Sequence, residues 1–584
     1  MKTKHLLRFA TAMFVGTVVV SGCVDNDYDL SDIDTTTELQ VKDLVLPLNI
    51  DEIAMQEILH LEDTGHIKVV NGEYVLIDSG TYESDPINIP SINIPAPQID
   101  PIKSKITLIE NNVPASMSTL PTFPMRFDLG EQFSEFTYQQ SGVSEYIVDL
   151  NLIVANFDIK IALTVDGLDD NIKSWTLEDF EMQLPKGLTG ETNMGSYDYE
   201  TGIVKIGSQK VEGKTLNFKM SVTEVDTHKA GATLDNKTHT FTFSDRLRIN
   251  SGYVAVYADD VINVAGIPSA ADYVILFEMD ELNVEVFGGK MKYDLDEISI
   301  SDVSLTGIPD VLSQEMTDIK LVNPQIYVCF SNPLGTNFGL YAQTGLTLTA
   351  KRLNQPDQKY SIDNEYFLLS CAGCQGCQFC LSPTDPGQGN YFGKYVNAQY
   401  VPYTSLSNVL SGNGLPTAIG ISLDNLCVPE QEIGHFPLGV DLGKMTGCYT
   451  IYAPLQLKNG SNIIYSSTED GWWTEDIANL TIKKLQLEAS ITNDLPVDIE
   501  IKGYPIDVNG NQINNVVVEG VNVKSGAIDK PLLIRMTGEI KDLDGIKFVA
   551  TAKSTPKQES LRPKEHIVLK NIKVTISGSY VTEL

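Results

Sequence analysis

The sequence predicts a mainly β protein, with several β-sandwich-like domains in tandem, a short N-terminal helix and a cysteine-rich loop. Three observations predict it. Apolar and polar residues alternate with a period of two over many stretches, as in Phe157-Asp-Ile-Lys-Ile-Ala-Leu-Thr-Val165, the pattern of a strand with one buried face. These stretches are short and end in Gly, Asn or Asp turns, which argues for sandwiches or barrels. A hydrophobic content of 42%, with 24 Tyr and 20 Phe, is that of a chain with a real core and not of a disordered one.

The chain opens with Lys2, Lys4 and Arg8, continues through the apolar stretch Phe9 to Val20, and reaches Val20-Ser21-Gly22-Cys23. A basic start, a short apolar run and a small-residue cleavage site are the three parts of a secretory signal, assigned to residues 1–22. The apolar run, about 12 residues, falls short of the ~20 that a membrane span needs. Its end resembles the lipobox of bacterial lipoproteins. That resemblance implies cleavage before Cys23, a lipid on the new N-terminal cysteine, and a membrane partner reached through that lipid. Residues 23–45, with Asp25, Asp27, Asp29, Asp32 and Asp34, read as a solvated acidic tether, because like charges at this density repel. The run also resembles the acidic export signal of Bacteroidetes lipoproteins, which implies an outer-membrane location facing the cell exterior. Asp34-Thr35-Thr36 is similar to the O-glycosylation site of that phylum.

After the signal, roughly 560 residues remain, enough for three or four domains at ~150 each. Residues 46–140 form an N-terminal α+β region. Within it, Ile53, Met55, Ile58 and Leu61 recur at helical spacing behind a possible Asn49 cap, predicting a helix over 46–62. Ile67 to Ile77 reads as a hairpin turned by Asn71-Gly72. Pro86, Pro90, Pro95 and Pro97 forbid a central strand, and the isoleucines spaced between them predict an extended segment lying against something apolar. A β domain covers 141–300. A second covers 301–470 and carries a cysteine-rich insertion at about 352–400. The C-terminal sandwich, 471–584, is the clearest: Val497-Asp-Ile-Glu-Ile-Lys502 alternates cleanly and Asp507-Val-Asn-Gly-Asn511 turns. Asp507 to Asn511 has the flavour of a calcium loop but lacks the following glutamate, so a hairpin turn explains it better. One internal echo stands out. Ser331-Asn332-Pro333-Leu334 and Thr492-Asn493-Asp494-Leu495-Pro496 both break one strand from the next. The order resembles that of water-stress (late-embryogenesis) β-sandwich modules; the plainer reading is that Asn and Pro make turns.

Candidate chemistry is concentrated in the cysteines. Cys371, Cys374, Cys377 and Cys380 repeat every third residue, and Cys427 and Cys448 follow. On a tight helical turn the first four sulfurs would converge on one side. The first three resemble a ferredoxin-type cluster motif, but the fourth spacing is one residue short and Leu381-Ser382 stands where proline is expected. Four convergent thiolates would suit zinc. An exported context favours disulfides among the six. Both alternatives stay open, and no metal is committed. Cys329, inside an alternating strand, reads as a buried filler. Gly471-Trp472-Trp473 offers paired indoles that either stack on sugar or plug a domain junction.

Charge and absent motifs narrow the function. The formal net charge is −35, and the signal removes three further cations. A field of that sign repels nucleic acid and anionic lipid. The six histidines past the signal, His60, His66, His228, His239, His435 and His566, show no paired ligand spacing. No nucleophile elbow or phosphate loop is evident, so no catalytic residue and no cofactor is assigned. His60 and His66 read as surface or cap residues. The expected function is a non-catalytic, lipid-anchored envelope protein that presents β-sandwich domains for binding or adhesion to a glycan or protein partner. Two alternatives are a glycan-binding lipoprotein of a polysaccharide-uptake system, with Trp472 and Trp473 as its platform, and a glycoside hydrolase hidden among the 77 acidic residues. The last requires a deep pocket holding a carboxyl raised by desolvation.

Overall fold

A computed structural model describes residues 36–46, 52–54, 65–109, 123–168, 170–295, 298–370, 377–387, 390–473, 475–478 and 480–583. Among the described residues strand accounts for 64% and helix for 6%, so the class is mainly β, as the alternation predicts. The strand Ile147–Asp166 shows why. Its inward residues Phe157, Ile159, Ile161, Leu163 and Val165 are buried, while Asp158, Lys160 and Thr164 face out, so burial of one face selects the extended conformation.

This strand belongs to an 18-stranded sheet built from segments between Ile102 and Pro437. Its first half pairs with Val286–Asp294 and its second with Ala270–Met279. A six-stranded sheet, here the cysteine sheet, runs in the order Gln399–Pro402, Cys377–Ser382, Gln325–Ser331, Lys444–Pro454, Glu73–Pro86, Ile67–Val70. Two further six-stranded sheets involve the C-terminal region. One carries Leu480–Asn493, Ala527–Ile540 and His566–Glu583; the other carries Asn462–Glu469, Val497–Asp507 and Leu543–Ser554. They close on a cluster that includes Leu485, Ile534, Ile546 and Ile576. The larger core is contiguous from Ile67 to Leu561. The large sheet, the cysteine sheet and the sheet of Asn462–Glu469 share that larger core, and strands far apart in sequence pair within it: Glu73–Pro86 lies against Lys444–Pro454.

Several local expectations can be followed residue by residue. The Asn71-Gly72 hairpin forms, with both residues at positive φ (53° and 82°). The proline-rich segment is extended, with Ile87, Ile89, Ile92 and Ile94 all buried and Ile92–Ile94 paired to Leu282–Val284. Two N-terminal expectations are corrected. The strand Thr36–Leu46, antiparallel to His566–Glu583, takes in the end of the proposed tether, which runs to residue 45. The last strand of the chain offers an open edge there, and Val41 packs on the C-terminal core. Within the proposed helix, Glu52–Ala54 is also a strand, paired with His566–Val568; the same edge outcompetes helical spacing. The rest of 47–62 lies outside the described residues.

The internal echo goes deeper than turn chemistry. Asn332 and Asn493 are both fully buried. Each accepts from the backbone N–H two residues on, Leu334 at 3.1 Å and Leu495 at 3.2 Å. Each amide nitrogen donates to two backbone carbonyls, Leu340 and Leu369 for Asn332, Val497 and Lys524 for Asn493. The same side chain thus ties two strand ends together in two places. Asn332→Ala and Asn493→Ala are each expected to lower unfolding free energy by about 2–4 kcal/mol, since three buried backbone groups lose their partner. Urea denaturation measures this, and a loss below about 0.5 kcal/mol, the level of an ordinary surface change, would show that the ties are dispensable.

Candidate functional site

The cysteine-sheet strand Glu73–Pro86 and the strand Ile298–Ser304 of the large sheet approach each other without pairing among the described residues. The gap between them is a cleft of about 550 Å³ lined by His66, Asp78, Ser79, Thr81, Tyr82, Glu83, Ile300, Asp302, Val303, Ser304 and Tyr449. Its floor follows from two glycines. Gly80 lies opposite Tyr449 and Gly447 opposite Tyr82. A Cβ on Gly80 would meet the Tyr449 ring at 2.6 Å, and one on Gly447 would meet the Tyr82 ring at 2.1 Å. Glycine at both positions lets the two rings lie down across the neighbouring strand.

Hydrogen bonds fix these rings. The Tyr82 hydroxyl donates to the Cys329 carbonyl at 3.0 Å, and the Tyr449 hydroxyl donates to Asp78 Oδ2 at 3.3 Å. Burial, with the Asp78 charge beside it, pushes the Tyr449 phenol up to about 12, so it stays a donor at neutral pH. His66 closes one end. Its Nε2 lies 3.3 Å from Asp78 Oδ1, and its Nδ1 meets the backbone of Thr306, 2.9 Å from the N–H. The same Nδ1 also lies 3.0 Å from the Thr306 carbonyl oxygen, so either ring tautomer finds a partner in that backbone. Lys444 pairs with Glu83 at 2.7 Å, and Lys351 pairs with Asp302 on the opposite wall. His66, read from sequence as a surface or cap residue, is therefore a positioned member of a cleft.

The cysteines are arranged differently from the sequence expectation. Cys371 and Cys374 lie outside the described residues. Cys377 and Cys380 sit on the strand Cys377–Ser382 and not on a helical turn. Three residues apart on a strand, they face opposite sides, and they fall in different core clusters, so their sulfurs do not converge. Cys448 is disulfide-bonded to Cys329, the residue read as a filler. The two are directly opposite on adjacent antiparallel strands with Cα atoms 5.1 Å apart, inside the range a disulfide spans. Lys394 Nζ and the Tyr395 hydroxyl lie 3.6 and 3.7 Å from Cys448 Sγ. Cys380 shares this cluster, and burial pushes its thiol up to about 11. Cys427 lies apart on Ala418–Pro437, beside Gln343 at 3.7 Å, with its thiol also raised by burial. Among the described residues no group of three or more His, Cys, Asp or Glu is placed to hold a metal.

The tryptophans divide. Trp472 packs against the C-terminal core and Trp473 is 44% exposed. Asp544 fixes both backbones, its carbonyl accepting from the Trp472 N–H and its Oδ1 from the Trp473 N–H, each at 2.8 Å. One indole and not a pair is thus presented to solvent. Asp507 accepts from the N–H groups of Asn509 and Asn511 at 2.9 and 2.8 Å, which holds its carboxyl below the ordinary range and shapes the turn. A second, smaller hollow of about 450 Å³ lies on the outer face of the large sheet, lined among others by Asp158, Lys160, Asn193, Asn217, Lys219 and Glu278. Its lysines are engaged, Lys160 with Asp280 and Lys219 with Asp158. Burial raises the carboxyl of Glu565, which lines neither hollow.

No family model matches the chain, and no curated protein matches it. Among solved structures it is similar to a candidate secreted protein from Parabacteroides distasonis, with a TM-score of 0.34 and 16% identity over 50% of this chain and 89% of that one. It is also similar to a chain of broad bean stain virus, with a TM-score of 0.13 and 10% identity over 51% of this chain and 90% of that one. At these TM-scores neither likeness carries an argument.

Proposed function

We propose that this is a lipid-anchored, non-catalytic protein of the bacterial outer envelope that holds β-sheet surfaces at the cell exterior for binding. The observation that carries it is Val20-Ser21-Gly22-Cys23 behind a short apolar run, a signal that ends on a cysteine able to take lipid. Several acyl chains on one cysteine anchor durably where a single chain would not. Among the described residues no helix is long and apolar enough to cross a membrane, which is compatible with attachment through lipid. Thr36–Leu46 is an edge strand of a C-terminal sheet. The segment from Cys23 to Thr36 reaches at most roughly 45 Å when fully extended, so that sheet would stand nearest the membrane. A groove lined by side chains from two sheets gives the body a concave surface of the size that small-ligand sites have.

Intact cells treated with an external protease are expected to lose the full-length band while a periplasmic marker survives. Cells grown with a labelled fatty acid are expected to label the wild-type chain and not Cys23→Ala. Protection from protease would overturn the surface location; label retained by Cys23→Ala would overturn the anchor.

A further inference from the structure

We propose that the strand Thr36–Leu46 is a self-association edge, on which a second copy of this chain adds its own Thr36–Leu46 antiparallel. The pairing goes beyond the envelope reading and does not depend on it.

An unpaired sheet edge presents a row of backbone N–H and C=O groups that another strand can bond. Among the described residues, Thr36–Leu46 pairs on one side only, with His566–Glu583. It is therefore the end of its sheet, and at 11 residues it is a long one. The other end of that sheet is closed off differently. Val516–Glu519 is only 4 residues long, and Val521–Val523, directly after it, crosses over to pair in the second C-terminal sheet. The free side of Thr36–Leu46 is the better template of the two.

Charge decides which strand fits. Alternation puts Glu38, Gln40 and Lys42 on one face, all exposed, while Val41 turns to the C-terminal core. Neither Glu38 nor Lys42 has an ion-pair partner among the described residues. A lysine on an edge normally deters a neighbour. It attracts one that brings a carboxylate to the same place, and this strand read backwards does so. With two copies antiparallel about a two-fold axis through Gln40, Glu38 of each copy lies directly opposite Lys42 of the other, on the same face. Two opposite-charge pairs form at once, as a two-fold contact requires. The bulge between Val41 and Leu44 bends the strand beyond that pairing, so the new ladder is short. A short ladder makes a weak contact in solution, and two chains held in one membrane would meet at a higher effective concentration.

The test is sedimentation velocity on the full chain in detergent, from about 1 to 100 μM, the range in which a small contact reports its affinity. A concentration-dependent dimer is expected. Glu38→Lys and Lys42→Glu, each alone, set like charges opposite each other twice and are expected to weaken the dimer about fivefold or more. The double reversal, Glu38→Lys with Lys42→Glu, restores both pairs and is expected to return within about twofold of wild type. Both positions are exposed, and the rescue separates pairing from folding. Gln40→Cys under a mild oxidant is expected to give a disulfide-linked dimer that wild type, with its own free thiols, does not. A wild-type chain still monomeric at ~100 μM would leave the edge to a foreign strand and overturn self-pairing. A dimer indifferent to both single reversals would place the contact elsewhere. A double reversal as weak as the single ones would overturn the charge-matched register that carries the proposal.

Discussion

Replacing Cys329 and Cys448 together by serine is expected to cost roughly 5 kcal/mol of unfolding free energy. The magnitude follows from chain entropy. The bond joins residues 119 apart in sequence, and cross-linking a loop of that length removes conformational freedom from the unfolded chain worth ~5 kcal/mol at 25 °C. The native state supplies the geometry without rearrangement, because the two residues are register partners on adjacent strands. Both must be replaced. A single variant would leave one thiol in the buried cluster that also holds Cys380, and exchange between them would blur the result. Guanidinium denaturation of the double variant, compared with wild type with and without reductant, measures the difference. Reduced wild type is expected to follow the double variant. A double variant as stable as the oxidised protein would show that the unfolded chain is already compact around this pair.

That disulfide also marks where sequence reasoning reaches its limit. The alternation around Cys329 is visible, and it correctly places the residue inside a strand. Nothing local says that the opposing residue lies 119 positions away, because the register between distant strands is set by the burial of whole faces. The thiols at a strict period of three drew attention to a helical turn. Cys377 and Cys380 instead occupy a strand whose residues are all buried, where a period of three sends neighbours to opposite faces. Local signals with a local cause were legible: Asn71-Gly72 makes its hairpin, and the isoleucines between prolines find an apolar surface. The helix expected over 46–62 failed where described because its spacing competes with an edge of the last strand that becomes visible only in three dimensions. The cleft was the least legible feature. Its residues come from four separated stretches, near 66, 78–83, 300–304 and 449. The one available signal was the pair of glycines, Gly80 and Gly447, inside what the structure shows to be strands. Glycine there weakens a strand unless another group lies close, and here tyrosine rings do.

Arg352→Met is expected to cost about 3–5 kcal/mol, and Arg352→Lys to recover less than half of it. Arg352 is 8% exposed and its guanidinium is bound by neutral acceptors. Nε donates to the Gly414 carbonyl at 3.2 Å, one terminal nitrogen donates to Gln358 Oε1 at 3.2 Å, and the other reaches the carbonyls of Asn408, Val409 and Ser411. These carbonyls end the short helix Leu406–Val409 and the turn after it, groups that a helix leaves without partners. One side chain therefore caps a helix end and ties the following loop to the strand Ala342–Lys351. Burial works against the charge and lowers the guanidinium pKa from its ordinary value, so the hydrogen bonds must more than offset desolvation for the arrangement to persist. Methionine relieves that desolvation but leaves several buried carbonyls unbonded, which is why the expected loss is smaller than the sum of the bonds. Lysine keeps the charge, but its single ammonium cannot span acceptors from Gln358 to Gly414. Urea denaturation gives the energies. Hydrogen exchange locates them, and protection over residues 406–415 is expected to fall first in both variants. Full recovery by lysine would mean that charge alone holds the loop; a neutral methionine variant would mean that the cost of burying the cation equals all that its bonds return.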